Sequence, residues 1–168
     1  TPAVRVADVE FNVESCAAAV LASDARVIVL PELAITSYTC EDLFWQDALL
    51  HAAEEGLATL AAKTAEVDAL VLVGVPVRVA SKLYNCAAVF SRGELLGLVP
   101  KRNIPTYGEF YEGRRFSAGP EDVTLVNFAG FDEVPFGAEQ LFECEDVPGL
   151  VVAAEICEDL WVPNPPST

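Results

Sequence analysis

The 168-residue sequence is poor in several residue types on which protein chemistry often depends. It has no methionine and one histidine, His51, which argues against multi-histidine metal sites and a histidine-based triad. It also has no CxxC pair, and its odd number of cysteines, five, argues against a disulfide framework and a zinc cage. Reduced thiols in a cytoplasmic protein are the simpler interpretation. The cysteines are Cys16, Cys40, Cys86, Cys144 and Cys157.

Basic residues are scarce as well. Lys and Arg number 10 against 26 Asp and Glu, for a formal net charge of -16. Nucleic acid and anionic membranes are therefore poor partners, because phosphates require a basic surface. No apolar run is long enough to span a membrane, and no signal peptide is visible. With 52% hydrophobic and 21% charged residues, one packed domain is expected.

The hydrophobic pattern predicts early alternation of helices and strands, followed by hairpins, which indicates a layered α/β domain with a mixed sheet. Helices are predicted at 12–22 and 41–67, buried strands at 26–30, 69–77 and 150–156, a hairpin at 83–90 and 94–99, and weaker strands at 123–128 and 139–142. Residues 31–40 and 103–120 are predicted to be loops.

Three chemically different side chains follow predicted strands. They are Glu32, Lys101 and Cys157. Reactive groups collect at the carboxyl ends of strands in α/β sheets, so we expect the three to converge. A carboxylate can accept the thiol proton and later protonate a leaving amine, while an ammonium can stabilise an oxyanion. Taken singly, each has an ordinary interpretation, as a solvated acid, a surface cation and an inert buried thiol.

The segments that contain these residues resemble the three signature regions of the nitrilase superfamily. The segments are PELAITSY (31–38), LVPKRNIPTYGEFYEGRRF (98–116) and AAEICEDLWVPNPPS (153–167). That superfamily carries a Glu-Lys-Cys triad on an α-β-β-α sandwich with mixed sheets. The stretches 38–44, 105–108 and 155–161 are more similar still to the glutaminase domains of glutamine-dependent NAD synthetases.

The resemblance implies a role for each matching residue. Glu32 would be the general base and acid, Lys101 the catalytic lysine, and Cys157 the nucleophile that forms a γ-glutamyl thioester and releases ammonia. Glu112, spaced from Phe116 as in the family's second glutamate pattern, would orient the lysine, and we prefer it to Glu109. Substrate contacts would come from the following residues: Tyr107 against glutamine, the Glu158 backbone N–H at the oxyanion, and Tyr38 and Trp161 in the pocket wall.

The sequence departs from the family pattern in two ways. Ser37 stands where the group usually has glycine. The chain is also short for a nitrilase sandwich, so we expect an incomplete domain over 1–168 that lacks the first strand, the C-terminal part and a following ATP-dependent synthetase domain. By the resemblance, the glutaminase step needs no cofactor or metal, whereas the synthetase domain would use ATP and magnesium to amidate deamido-NAD. A homo-oligomer is expected.

Two alternatives stay open at this point. In the first, the protein is another nitrilase-superfamily amidohydrolase. In the second, this piece is catalytically inactive and serves only in assembly. The cations Arg102, Arg114 and Arg115 are interpreted as a loop network with Glu109 and Glu112, with a subunit or domain contact as the alternative. His51 and the four cysteines other than Cys157 are interpreted as structural, without a catalytic role.

Overall fold

A computed structural model describes residues 1–166, so residue 167, the last of the third signature segment, and residue 168 lie outside the described part. Its centre is a six-stranded mixed sheet in the order β1-β2-β3-β4-β6-β5, accompanied by a two-stranded sheet, β7-β8. The strands are β1 Val27–Val29, β2 Leu70–Val79, β3 Lys82–Ser91, β4 Glu94–Pro100, β5 Thr124–Phe128, β6 Phe131–Phe136, β7 Phe142–Glu143 and β8 Val151–Val152. The predicted α/β class with a mixed sheet is confirmed.

The sheet owes its mixed character to hairpins joined to parallel neighbours. β2, β3 and β4 run antiparallel in succession, while β1 lies parallel to β2 and β6 parallel to β4. The predicted β3–β4 hairpin is confirmed, and Gly93 in its turn has φ +84°, in the region that favours glycine. β2 is buried continuously from residue 71 to 77, as expected for an apolar strand covered on both faces.

Two helices cover one face of the sheet. They are α1 Val9–Leu21 and α2 Asp47–Lys63. Asp8 caps α1 by accepting a hydrogen bond from the Phe11 amide at 3.2 Å, so this helix begins three residues before its predicted start. The predicted helix at 41–67 is too long, because residues 38–45 form short 3₁₀ turns interrupted at Glu41, whose φ is +51°.

Two strand predictions in the last third are wrong. The run 150–156 forms only the short strand β8, and Val151 is 48% exposed. The weak strand at 139–142 reduces to β7, which pairs with β8. β6, which no pattern predicted, pairs with the predicted β5 and with one residue of β4.

The other face of the six-stranded sheet is only partly covered. Phe142 and Ala154 pack there against Leu72, Val89 and Val99. Beside them lies a largely apolar groove of about 730 Å³ between the sheet and the β7–β8 hairpin. In the described residues, no helix has the length and hydropathy needed to cross a membrane.

Candidate active site

The turn that carries Glu32 lies directly against the sheet. Pro31 ends the strand region, and its carbonyl accepts the Gly74 amide of β2 at 3.2 Å, while the Ile35 amide donates to the Gly74 carbonyl at 3.2 Å. A Cβ on Gly74 would lie 2.0 Å from the Leu33 nitrogen and 2.6 Å from the Glu32 carbonyl carbon. Glycine is therefore required in β2 for this turn to approach, and the approach fixes where Glu32 stands.

Lys101 is fully buried at the end of β4 and is not the surface cation of its ordinary interpretation. Its Nζ donates to Glu32 Oε1 at 2.9 Å and to Glu112 Oε1 and Oε2 at 2.8 and 3.0 Å. Burial acts to lower the pKa of Lys101, but the hydrogen bonds and charges of Glu112 and Glu32 outweigh it and leave that pKa raised. The ammonium therefore stays charged inside the protein.

Glu112 is the second carboxylate on the lysine. It lies in a short 3₁₀ turn, Glu112–Arg114, and is 4% exposed. The Tyr38 hydroxyl donates to Glu112 Oε1 at 2.8 Å. Tyr38, predicted to lie in the pocket wall, therefore also orients this carboxylate. Burial, then the hydrogen bond and charge of Glu112, raise the pKa of Tyr38. The phenol therefore remains a hydrogen-bond donor at ordinary pH.

Cys157 opens a 3₁₀ helix, Cys157–Trp161, five residues beyond the end of β8. Its φ of +48° is uncommon for a residue with a Cβ and marks a sharp turn at the thiol. The residue is exposed, yet partial burial is the largest influence on the thiol and raises its pKa. The Lys101 charge and the Glu158 backbone N–H lower the pKa, and the charges of Glu32 and Glu112 raise it. The net pKa is above that of an ordinary cysteine, so the thiol requires a base.

A buried aspartate that sequence reasoning missed joins the lysine loop to the cysteine turn. Asp159 is 2% exposed and accepts the backbone N–H groups of Arg102 at 3.1 Å and Asn103 at 2.7 Å. It also accepts the Asn103 side-chain amide at 2.9 Å and the Ile156 N–H at 3.4 Å. An acid two residues after the candidate nucleophile was the available signal. Asp159 sets the separation between the two segments.

Asn85 is the second residue that sequence reasoning missed. It lies inside β3, is fully buried, and donates from Nδ2 to Glu32 Oε1 at 2.6 Å. The signal was an amide within an otherwise apolar strand, where an unpaired polar group is costly.

The remaining predicted substrate residues, Tyr107, Glu158 and Trp161, are at least partly exposed. The Tyr107 hydroxyl donates to Glu158 Oε2 at 2.7 Å, and Tyr107 is 60% exposed. Trp161 is 76% exposed at the end of the 3₁₀ helix. Tyr107 is thus joined to the cysteine turn through Glu158, whereas Trp161 is largely exposed to solvent.

The loop arginines form a network, although with partners other than those expected. Arg114 and Arg115 bind Glu41 and Asp42, which follow the first signature segment, and Arg102 binds Glu121. Glu112 is occupied by Lys101 instead. The ion pairs of Arg114 and Arg115 link the loop that carries Glu112 to the segment that follows Tyr38.

Two further predictions concern residues outside the site. His51 is exposed on α2 and pairs with Glu55 at 3.2 Å. All five cysteines are free thiols, and Cys16, Cys40 and Cys86 are buried, where burial raises the pKa of each. Among residues 1–166, no cluster of His, Cys, Asp and Glu has the composition to hold a metal ion.

The site combines a buried, carboxylate-held lysine on an α/β sheet with a thiol whose pKa is influenced by the charge of that lysine. The sequence model of the carbon-nitrogen hydrolase family matches residues 5–167, and the chain belongs to this family. A solved amidase of the nitrilase superfamily from Nesterenkonia, at 20% identity, shares the fold with a TM-score of 0.58 over 77% of this chain and 50% of that one.

More similar relatives point to one branch of the family. The chain is 43% identical over 143 residues to the glutamine-dependent NAD(+) synthetase of Mycobacterium tuberculosis. The aligned region covers 85% of this chain and 21% of that protein. The crystal structure of a glutamine-dependent NAD(+) synthetase from Cytophaga hutchinsonii matches with a TM-score of 0.84 at 31% identity, over 94% of this chain and 27% of the other. The chain therefore spans about a quarter or less of the length of these relatives.

Proposed function

We propose that this chain is the main part of a glutaminase domain that hydrolyses glutamine through a cysteine thioester. The observation that carries the proposal is the fully buried Lys101, held at 2.8–3.0 Å by Glu32 and Glu112 and electrostatically coupled to the Cys157 thiol. Glutamine as substrate is supported by the relatives named glutamine-dependent NAD(+) synthetase.

The reaction uses each group in turn. The Glu32 carboxylate takes the proton from the Cys157 thiol as the sulfur attacks the carboxamide carbon. The Lys101 ammonium and the Glu158 backbone N–H stabilise the oxyanion that forms. The intermediate collapses, the C–N bond breaks, and protonated Glu32 gives its proton to the departing ammonia. Water, deprotonated by Glu32, then attacks the thioester carbon and the C–S bond breaks. Glu32 returns the proton to the sulfur, which leaves glutamate and the free thiol.

The raised pKa of Cys157 supports this assignment of the base. A thiol that is protonated at neutral pH needs an adjacent acceptor, and Glu32 is half-buried with its charge acting on the thiol. Glu112 is the poorer acceptor, because both of its oxygens are engaged by Lys101. Glu32 therefore moves the proton, and Glu112 holds the lysine.

The released ammonia would serve NAD synthesis in the full-length protein. By this proposal a synthetase domain, outside this chain, uses ATP and magnesium to amidate deamido-NAD, and the protein is a cytoplasmic homo-oligomer. The glutaminase step itself uses no cofactor. The coupling of glutamine hydrolysis to NAD synthesis is supported by the relatives named glutamine-dependent NAD(+) synthetase.

The test is Cys157→Ala in the full-length protein. We expect glutamine-dependent NAD formation to be abolished while ammonia-dependent formation survives, because ammonia enters after the thioester step. Loss of both activities in a folded protein would refute the division of labour. A protein that hydrolyses other amides and makes no NAD from either nitrogen source would instead be a different amidohydrolase.

A further inference from the structure

Asn85 occupies a place in the site that its position in the fold does not explain. It lies in the interior of β3, where its neighbours Leu83, Tyr84 and Cys86 are buried. Its side chain makes one hydrogen bond to the described residues, from Nδ2 to Glu32 Oε1 at 2.6 Å. Its own Oδ1 is buried and has no partner in that part of the chain. The sheet would gain from an apolar residue here, since a buried amide oxygen without a partner is unfavourable.

Both hydrogen bonds to Glu32 fall on the same oxygen. Asn85 Nδ2 and Lys101 Nζ reach Oε1 at 2.6 and 2.9 Å, and within residues 1–166 no hydrogen bond reaches Oε2. Two donors on one oxygen of a carboxylate restrict the rotation of the group, and so restrict the positions that its second oxygen can take. The second oxygen is the one left to accept a proton.

The same residue also fixes the lysine. The Lys101 backbone N–H donates to the Asn85 carbonyl at 2.8 Å, across the β3–β4 pairing. One strand residue therefore contacts the carboxylate through its side chain and the start of the lysine loop through its backbone. Substitutions of the side chain leave the second contact in place, which allows the first to be tested alone.

We infer that Asn85 is a positioning residue for the general base: by occupying Oε1 of Glu32 together with Lys101, it directs Oε2 toward the Cys157 thiol. The inference rests on the proposed glutaminase function. The charged and titratable groups that face Glu32 are Lys101 after β4, Glu112 and Tyr38 from the loops, and Cys157 from the 3₁₀ helix.

The first variant is Asn85→Leu, which keeps the approximate shape and removes the donor. In the full-length protein we expect glutaminase kcat to fall about 10- to 100-fold with little change in KM, because a misdirected base slows proton transfer. We expect its melting temperature to be unchanged or raised, since the unpartnered oxygen is removed.

The second variant is Asn85→Asp, which adds a carboxylate beside Glu32. Neighbouring like charges hold a proton more tightly, so the acid limb of the kcat/KM profile should move up by about one pH unit. Alkylation of Cys157 by iodoacetamide, followed on its peptide by mass spectrometry, should slow at fixed pH, because added negative charge raises the pKa of that thiol. This readout does not need glutamine turnover.

Asn12 provides the matched control. It is equally buried, but its side-chain amide hydrogen-bonds to backbone groups outside the site. Asn12 Oδ1 accepts the Arg5 N–H at 2.6 Å, and Nδ2 donates to the carbonyls of Arg5 at 2.8 Å and Ile35 at 3.1 Å. We expect Asn12→Leu to lower the melting temperature and to leave kcat of the folded protein in place. Asn85→Leu should instead lower kcat and leave the melting temperature unchanged or raised.

The outcomes separate the two proposals. An active wild type whose Asn85→Leu variant keeps kcat within about twofold, or loses as much thermal stability as Asn12→Leu, overturns the role of Asn85. So does an Asn85→Asp profile that coincides with wild type. An inactive wild type whose Cys157 alkylation still slows in Asn85→Asp would refute the glutaminase function and retain the placement of Asn85.

Discussion

Glu112→Gln is the substitution whose cost follows most directly from the structure. The Glu112 carboxylate accepts two hydrogen bonds from Lys101 and one from the Tyr38 hydroxyl, and the residue is only 4% exposed. The substitution removes the negative charge of this carboxylate. Breaking a buried ion pair from one side costs about 3–5 kcal/mol, because the other charge stays buried. Glu32 remains 2.9 Å from Lys101, so we expect the lower end, about 3 kcal/mol.

A loss of this size is measurable in the full-length protein. For a domain of this size it corresponds to a fall of about 6–12 °C in melting temperature, followed by differential scanning calorimetry. Glutaminase kcat should also fall, because Lys101 loses the charged carboxylate that orients it. Tyr38→Phe, which removes one hydroxyl from Glu112, should cost about 1 kcal/mol.

Glu109→Gln is the matched control for Glu112→Gln. Glu109 is an exposed acid three residues earlier in the same loop, so its substitution should stay within about 0.5 kcal/mol of wild type. If Glu112→Gln were no more destabilising than Glu109→Gln, the buried lysine cluster would not exist as described.

Three other substitutions and one preparation give sharp expectations. Ser37 has φ +76° and ψ 148°, a region that favours glycine, so Ser37→Gly should stabilise the protein by about 1 kcal/mol in thermal unfolding; a lower melting temperature would contradict this. Glu32→Gln should lower glutaminase kcat about 100-fold or more yet speed iodoacetamide alkylation of Cys157, because the Glu32 charge raises that thiol's pKa. Lys101→Ala should slow both glutamine hydrolysis and the alkylation of Cys157, because the Lys101 charge lowers that thiol's pKa. If Glu32→Gln and Lys101→Ala changed the alkylation rate in the same direction, the opposite effects of the two charges on Cys157 would be refuted. Residues 1–168 expressed alone should bind hydrophobic dyes through the apolar sheet groove and fail as a glutaminase, whereas a monomeric, dye-negative and active preparation would contradict this.

The sequence predicted which charged side chains come together better than it predicted the last third of the fold. Glu32, Lys101 and Glu112 are recognisable because each stands at a fixed place in a motif, and the structure brings them within hydrogen-bond distance. The run 150–156 is apolar and β-branched like β2, so the same pattern predicts a buried strand. Burial depends on what covers a strand, and that information is not in its periodicity.

The missed residues show a second limit. Asp159 and Asn85 act through contacts 56 and 53 residues away in the chain, with Asn103 and Glu32 respectively. Local patterns report the neighbours of a residue along the chain, whereas these roles are set by the sheet order and the paths of two loops. Ser37 is the converse case, because a departure from the family's glycine coincides with a backbone conformation that favours glycine.

The most direct measurement is the detection of an acyl group on Cys157 during turnover. Full-length protein mixed with isotope-labelled glutamine and quenched in acid within the first turnover would be digested and examined by mass spectrometry. We expect a glutamyl group on the Cys157 peptide in wild type and none in Cys157→Ala. Steady glutamine hydrolysis with Cys157 unmodified throughout, or with the acyl group on another residue, would contradict the thioester mechanism.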